Sequence, residues 1–308
     1  MDWVALVDFS GACVRLSIPV AFAAVGGVLC ERSGVFNIAL EGCILAGAFG
    51  AALGAALSGY PAVGVGSGLL FGFVVGLMLA VLAVSLGANQ LVSGIAINVL
   101  TLGATSFLAR LLLPADMARD LPGFQPLPLP YLSDIPLIGP VFFAQDALTY
   151  LLYMATLILW FVLAKTPMGL FVRAVGDNPR AADSAGVNVS VLRFSSVLAG
   201  CAIASMGGVW LVLSQVHIFT EHMSAGKGFI AVAAVILGRW NPVGALLASL
   251  LFGAADAFQL QMQFNRPDVP YQLFSTLPFV AALFALIFLT GRAKPPAAGG
   301  VKYRRDGK

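Results

Sequence analysis

Charge is what this sequence has least of. Lysine, arginine, aspartate and glutamate make up 10% of its 308 residues, against about 25% in an ordinary soluble domain. A chain so poor in charge does not read as a soluble fold of this size. Histidine occurs twice. The four cysteines, Cys13, Cys30, Cys43 and Cys201, lie in or beside apolar stretches without metal-ligand spacing. They read as small packing hydrophobes, and no metal is expected. There is no GxxxxGKS or GxxxxGKT phosphate loop. The run SAGKG at 224–228 lacks both the first glycine and the closing hydroxyl. HExxH and GxSxG are also missing, so the chain carries no means of hydrolysing ATP and no catalytic constellation. Its basic residues flank apolar runs, which argues against a nucleic-acid partner. The opening segment has two early aspartates and no basic stretch, so no cleaved signal peptide is expected.

Apolar length is what the sequence has in quantity. Hydrophobic residues make up 59% of it, with a mean hydropathy of +0.94. Apolar runs fall at 12–30, 40–58, 62–86, 89–112, 147–164, 194–214, 226–239, 242–262 and 272–291. Most approach the roughly 20 residues that a lipid-spanning helix needs. The expected fold is therefore an all-α polytopic membrane protein with about nine (eight to ten) helices and lipid as its surroundings. The seventh run is too short to cross alone at about 1.5 Å per residue and reads as a half-helix.

Charge, where present, is placed asymmetrically. With loops assigned by alternation, Arg32, Lys165, Arg173, Arg180, Arg193, Arg239, Arg292, Lys294, Lys302, Arg304, Arg305 and Lys308 fall on one side. Arg15, Arg110, Arg119, Lys227 and Arg266 fall on the other. The positive-inside bias puts the first set in the cytoplasm, with the N-terminus outside and the C-terminus inside. Four parts follow: 1–164 as a first transmembrane repeat, 165–193 as a cytoplasmic loop, 194–291 as a second repeat, and 292–308 as a basic cytoplasmic tail. Within the first, the proline-rich stretch 114–146, carrying Asp116, Asp120, Asp134 and Asp146, becomes a long outer loop. A faint likeness of 41–72 to 226–253, each two helices around an aromatic-plus-proline turn and ending LLFG, suggests two inverted repeats. Glycines four apart, at Gly64, Gly68, Gly72 and Gly76, permit close helix contact, within the chain or between subunits.

Polar residues within the spans mark candidate sites, because burying them in lipid is costly. Asn37 and Glu41 share a helix face, and Asn89, Ser93 and Asn98 add uncharged donors and acceptors beside Gln90. These five form the expected substrate path, with helix packing as the competing role. Glu31–Arg32 reads either as part of that stripe or as a solvated turn. Gln215, His217, Glu221, His222 and Lys227 suggest a solvated outer gate or a docking surface for an outer protein, and Asp256 with Gln259 a buried acid that either relays protons or anchors helix ends.

The stretch Lys165–Arg193 is the long polar interruption. Asn178–Pro179 reads as a cap followed by proline in the first turn, and Gly186 as the stop. A two-turn helix results: Pro179, Arg180, Ala181, Ala182, Asp183, Ser184 and Ala185. So short a capped helix in a basic loop suits docking onto a soluble partner.

The strings ERSGVFNIALEG, NQLVSGIAINVL, TPMGLFVRAVGDNPRAADSAGVNV and GKGFIAVAAVILGRWNPVGALLASLLFGAADAFQLQ resemble permease subunits of ABC importers of the ribose/branched-chain amino-acid permease type. They are most similar to the simple-sugar or nucleoside branch. The resemblance implies a multi-pass protein of the bacterial inner membrane, paired with a second permease, the same or homologous. It also implies a cytoplasmic ATPase that binds the ATP, and an outer substrate-binding protein. Residues Asn178 to Gly186 would then be the coupling helix that meets the ATPase. The expected cargo is a nucleoside or related simple sugar. Riboflavin or another small solute, and an ion-coupled secondary transporter using Glu41 or Asp256, are the alternatives.

Overall fold

A computed structural model describes residues 3–113, 120–136, 138–265, 270–289 and 294–303. Among them every regular element is helical. In chain order they are α1 (Trp3–Arg32), α2 (Leu40–Ser58), α3 (Pro61–Ala80), α4 (Gln90–Leu112), α5 (Ala147–Lys165) and α6 (Pro167–Asp177). They continue with α7 (Pro179–Ser184), α8 (Val189–Trp210), α9 (Lys227–Leu237), α10 (Pro242–Asn265), α11 (Tyr271–Ser275) and α12 (Leu277–Leu289). A π turn prolongs α3 through Val81–Ser85 and α8 through Leu211–Val216. Proline opens α3, α6, α7 and α10, the position where its missing N–H leaves no bond unmade.

Seven helices among the described residues are long and apolar enough to cross a membrane, where nine runs were expected. The two others are short, Lys227–Leu237 and Gln272–Phe284. The first is bounded by residues of positive φ, Ala225 and Gly226 before it and Arg239 and Trp240 after it. The second is interrupted at Thr276, between α11 and α12, where Pro278 cannot donate to the preceding turn. Residues 290 and 291, which complete the expected ninth run, lie outside the described residues.

In α1, α2 and α8, 78–83% of the apolar stretch is buried, against 33–39% in α3, α4, α5 and α10. The first three are the middle of the protein and the others its outer shell, with Val92, Ile95, Val99, Leu247 and Leu251 exposed. Glycine permits close crossings: a Cβ on Gly208 of α8 would lie 1.8 Å from the Ile44 carbonyl oxygen of α2, and one on Gly26 of α1 would lie 2.2 Å from the Gly200 carbonyl oxygen of α8. The stripe on α3 packs within the chain. Gly64 faces α2 at Ala51, and Gly72 and Gly76 face α8 at Ser205 and Cys201. The free N–H groups at helix starts are met by local caps, Asp146 for α5, Thr166 for α6 and Asn188 for α8.

The ends of the bundle differ in charge. Arg32, Lys165, Arg173, Arg180, Arg193, Arg239, Lys294 and Lys302 gather at the end that carries α6 and α7, called the basic end below. Arg292, Arg304, Arg305 and Lys308 lie outside the described residues, as do Arg119, Arg266 and Asp116. The described part of 114–146 covers the opposite end. There Leu121 and Phe124 donate to the carbonyls of His217 and Leu213, and Leu127 and Leu129 to those of Gln145 and Phe143.

Two sequence expectations change in detail. The stretch 165–193 holds α6 as well as α7, and Arg193 is buried in the first turns of α8. Glu31 is no solvated turn residue. It is 2% exposed and accepts from Trp240 Nε1 at 2.6 Å.

Candidate functional site

Between α1 and α2 the chain does not return directly. Residues 35–38 run extended and mostly buried back into the bundle, after a turn at Gly34 with φ of +88°. An extended segment there must find partners for its amides, since hydrocarbon offers none. α4 supplies them. Gln90 Oε1 accepts from Phe36 N at 2.7 Å, and Asn98 donates to the Ile38 carbonyl at 2.9 Å. Asn98 Oδ1 then accepts from Gly42 N at 2.8 Å, capping the start of α2. Asn37 bonds inward, accepting from Ala39 N and lying 3.4 Å from the sulfurs of Cys30 and Cys201.

A second helix start meets the first. Gly228, near the beginning of α9, sits so close to α2 that a Cβ on it would lie 2.2 Å from Glu41 N. Glu41 caps α9: its carboxylate accepts from Gly226 N at 2.9 Å, from Gly228 N at 2.7 Å and from the Ser224 hydroxyl. It is 7% exposed. Three donors, two of them at the positive end of a helix, are what a buried carboxylate needs. The depth of this junction follows from length. The eleven residues of α9 rise about 16 Å from the basic end, roughly half of a 30 Å hydrocarbon layer. Asn98, eight residues beyond Gln90 on α4, gives about 12 Å by the same rise.

Beside the junction is a cavity of about 330 Å³, lined among others by Glu41, Asn98, His222, Ser224, Gly226 and Phe229. Two helix N-termini aimed at one place would ordinarily attract an anion. Here Glu41 already occupies the α9 amides, and its charge opposes a second negative group. What remains is uncharged acceptor and donor capacity next to an exposed aromatic ring, Phe229.

The expected path residues therefore fall in different places. Glu41 and Asn98 share the cavity wall. Ser93 is buried on α4 between them and Gln90, while Asn37 points into the packing between α1 and α8. Asn89 is the exposed cap of α4, accepting from Leu91 N and Val92 N. His222, Ser224 and Phe229 were not picked out as path residues. His222 and Lys227 were grouped with Glu221, but Glu221 instead pairs with Arg110 at 2.8 Å on the surface, which holds its carboxyl below the usual range. Lys227 and Asp256 line a separate cavity of about 240 Å³ with Gln259 and Ser275. No cluster of three or more metal-binding side chains occurs among the described residues.

At the basic end, α7 has the expected form. Asn178 accepts from Ala181 N at 3.1 Å, Pro179 opens the helix, and Gly186 follows with φ of +87°. Arg180, Ala181, Ser184, Ala185 and Gly186 are exposed and Asp183 is half-buried, while Ala182 is buried against Val175 and Val189.

The chain is 38% identical over 95% of both chains to a guanosine ABC transporter permease protein of Bacillus subtilis. It is 34% identical over 93% of both chains to a nucleoside ABC transporter permease protein of Lactococcus lactis. A glucose ABC transporter permease protein of Haloferax volcanii is 26% identical over 94% of this chain and 78% of its own length. No solved structure matches the chain. Residues 11–288 match the family described as branched-chain amino acid transport system / permease component, and the chain belongs to that family.

Proposed function

We propose that the chain is the membrane-spanning permease subunit of an ATP-driven uptake system for nucleosides or related neutral sugars. The observation that carries this reading is the mid-depth cavity beside Glu41. Its polar groups are held in place by backbone contacts, its one carboxylate is already bonded, and Phe229 offers a face for a base or a sugar ring. A negatively charged solute would meet Glu41 with no lysine or arginine on the cavity wall. The relatives named for guanosine and nucleosides support the same class of cargo. In this reading a second permease completes the pore, an outer binding protein delivers the solute, and a cytoplasmic ATPase binds ATP and docks on Asn178–Gly186. Asn37, Glu41, Asn89, Ser93 and Asn98 then divide into two roles, Glu41 and Asn98 at the solute and the other three in holding the walls.

Uptake into proteoliposomes of the complete transporter tests the proposal. Radiolabelled guanosine is expected to enter only with ATP, to keep entering when an uncoupler abolishes any ion gradient, and to be displaced by inosine but not by guanosine monophosphate. Uptake that collapses with the uncoupler while ATP stays high belongs to an ion-coupled carrier instead. Equal competition by the monophosphate would remove the argument from Glu41.

A further inference from the structure

Residues 294–303 lie across the basic end as a strap, and their partners are specific. Pro295 and Pro296 stiffen its start. Ala298 N donates to the Gly176 carbonyl at 2.9 Å, at the end of α6. Gly300 N donates to the Gly34 carbonyl at 3.2 Å, at the mouth of the re-entrant segment, with Gly300 in the left-handed region at φ of +76°. Arg193, 3% exposed, joins the two: its Nε donates to the Ser33 carbonyl at 3.1 Å and its Nη1 to the Val301 carbonyl at 2.9 Å. Lys302 Nζ donates to the Leu86 carbonyl at 3.3 Å and rests on Gly87. Tyr303 packs on Val175, Ala182 and Val189, and Ala182 belongs to α7.

The strap thus touches α7 at one end and the re-entrant segment at Gly34 along its length. That segment ends in the Asn98 and Glu41 caps at the cavity. We propose that residues 294–303, clamped by Arg193, transmit displacement of α7 to the re-entrant segment, so that Arg193 is a positioning residue for transport. The proposal rests on α7 being the docking helix. A continuous chain of packed and hydrogen-bonded groups is the physical requirement for such coupling, and the strap supplies it. Arg193 is otherwise a costly choice, because a buried guanidinium needs acceptors, and its Nη2 finds none among the described residues.

Hydrogen exchange of residues 33–39 in the complete transporter, with and without a non-hydrolysable ATP analogue, reads the coupling whichever solute moves. The wild type is expected to change protection of this segment on nucleotide binding. In Arg193→Gln and Gly300→Val the nucleotide-dependent change should fall about fivefold or more, the lower end of a typical coupling between sites. The ATPase subunit should still co-purify, and Arg193→Lys should restore part of the response. Should either variant fail to fold, Lys302→Ala, at the exposed margin of the strap, is expected to weaken the response in the same direction. An undiminished response in the folded variants overturns the proposal. Separately, an Arg180→Glu variant that still co-purifies with the ATPase would show that the docking assignment of α7 has failed, not the strap.

Discussion

Glu41 carries a charge inside a lipid-embedded fold, and its donors decide what that charge is worth. Removing the carboxylate leaves the Gly226 and Gly228 amides and the Ser224 hydroxyl without their acceptor. Each buried orphan costs about 1–3 kcal/mol. With three such orphans, Glu41→Ala is therefore expected to destabilise the protein by about 3 kcal/mol or more on that scale, read as a lowered thermal midpoint in detergent. Glu41→Gln keeps one carbonyl oxygen and should fall between the two. An alanine variant as stable as the wild type would mean that the α9 start does not depend on this cap. Asn98 plays the matching role for α2, but through an amide, whose one acceptor and two donors suit a carbonyl and an N–H at the same time. A carboxylate in its place has no donor for Ile38, so Asn98→Asp is not conservative.

Helices are placed here by their ends as much as by their apolar faces. Asp146 shows how much one cap can hold. It accepts from Leu148 N and Thr149 N at the start of α5, from the Thr149 hydroxyl, and from Trp210 Nε1 and Ser214 Oγ on α8 and its π turn. Asp146→Ala should cost at least the ~1 kcal/mol of a lost cap, with more for Trp210 Nε1–H, which is left with only the Thr149 hydroxyl at 3.1 Å as acceptor. Trp210 fluorescence and the thermal midpoint would report it together, and a variant with both unchanged would show that α5 and α8 are not tied through Asp146. Much of this level was legible in the residues. Asn178–Pro179 with Gly186 marked α7, the length of the seventh apolar run marked α9 as a half-helix, and most run boundaries fell near helix ends. Three things were not legible. α6 carries Gly169 and Gly176 and only eleven residues, so its propensity is poor and its formation depends on packing beside α5 and α8. The contact of Glu41 with Ser224 and Gly226 joins residues more than 180 positions apart, and no local pattern announces such a pairing. Asn89 and Asn98 look alike in sequence, yet one is an exposed cap and the other a buried clamp, because only one of them faces the re-entrant segment.

For the whole molecule the open variable is orientation, and the charge gathered at the basic end argues it physically. Lys and Arg near the ends of spans are retained on the cytoplasmic side during insertion. Eight of the twelve residues assigned to that side by alternation, Arg32, Lys165, Arg173, Arg180, Arg193, Arg239, Lys294 and Lys302, lie together in space in the described residues. The opposite rim shows Arg110 paired with Glu221, while Lys227 sits at mid-depth near α2 rather than at the rim. That lowers the basic count on the outer side. Single cysteines at exposed sites read the result directly. Asp134→Cys in the covering loop should react in intact cells with a membrane-impermeant maleimide. Arg180→Cys on α7 should react only after the membrane is opened. Cys30, Cys43 and Cys201 are buried and give little background, and a Cys13→Ser parent removes the half-buried fourth. The reverse labelling pattern would turn the protein over, place α7 outside, and leave no cytoplasmic ATPase able to reach it.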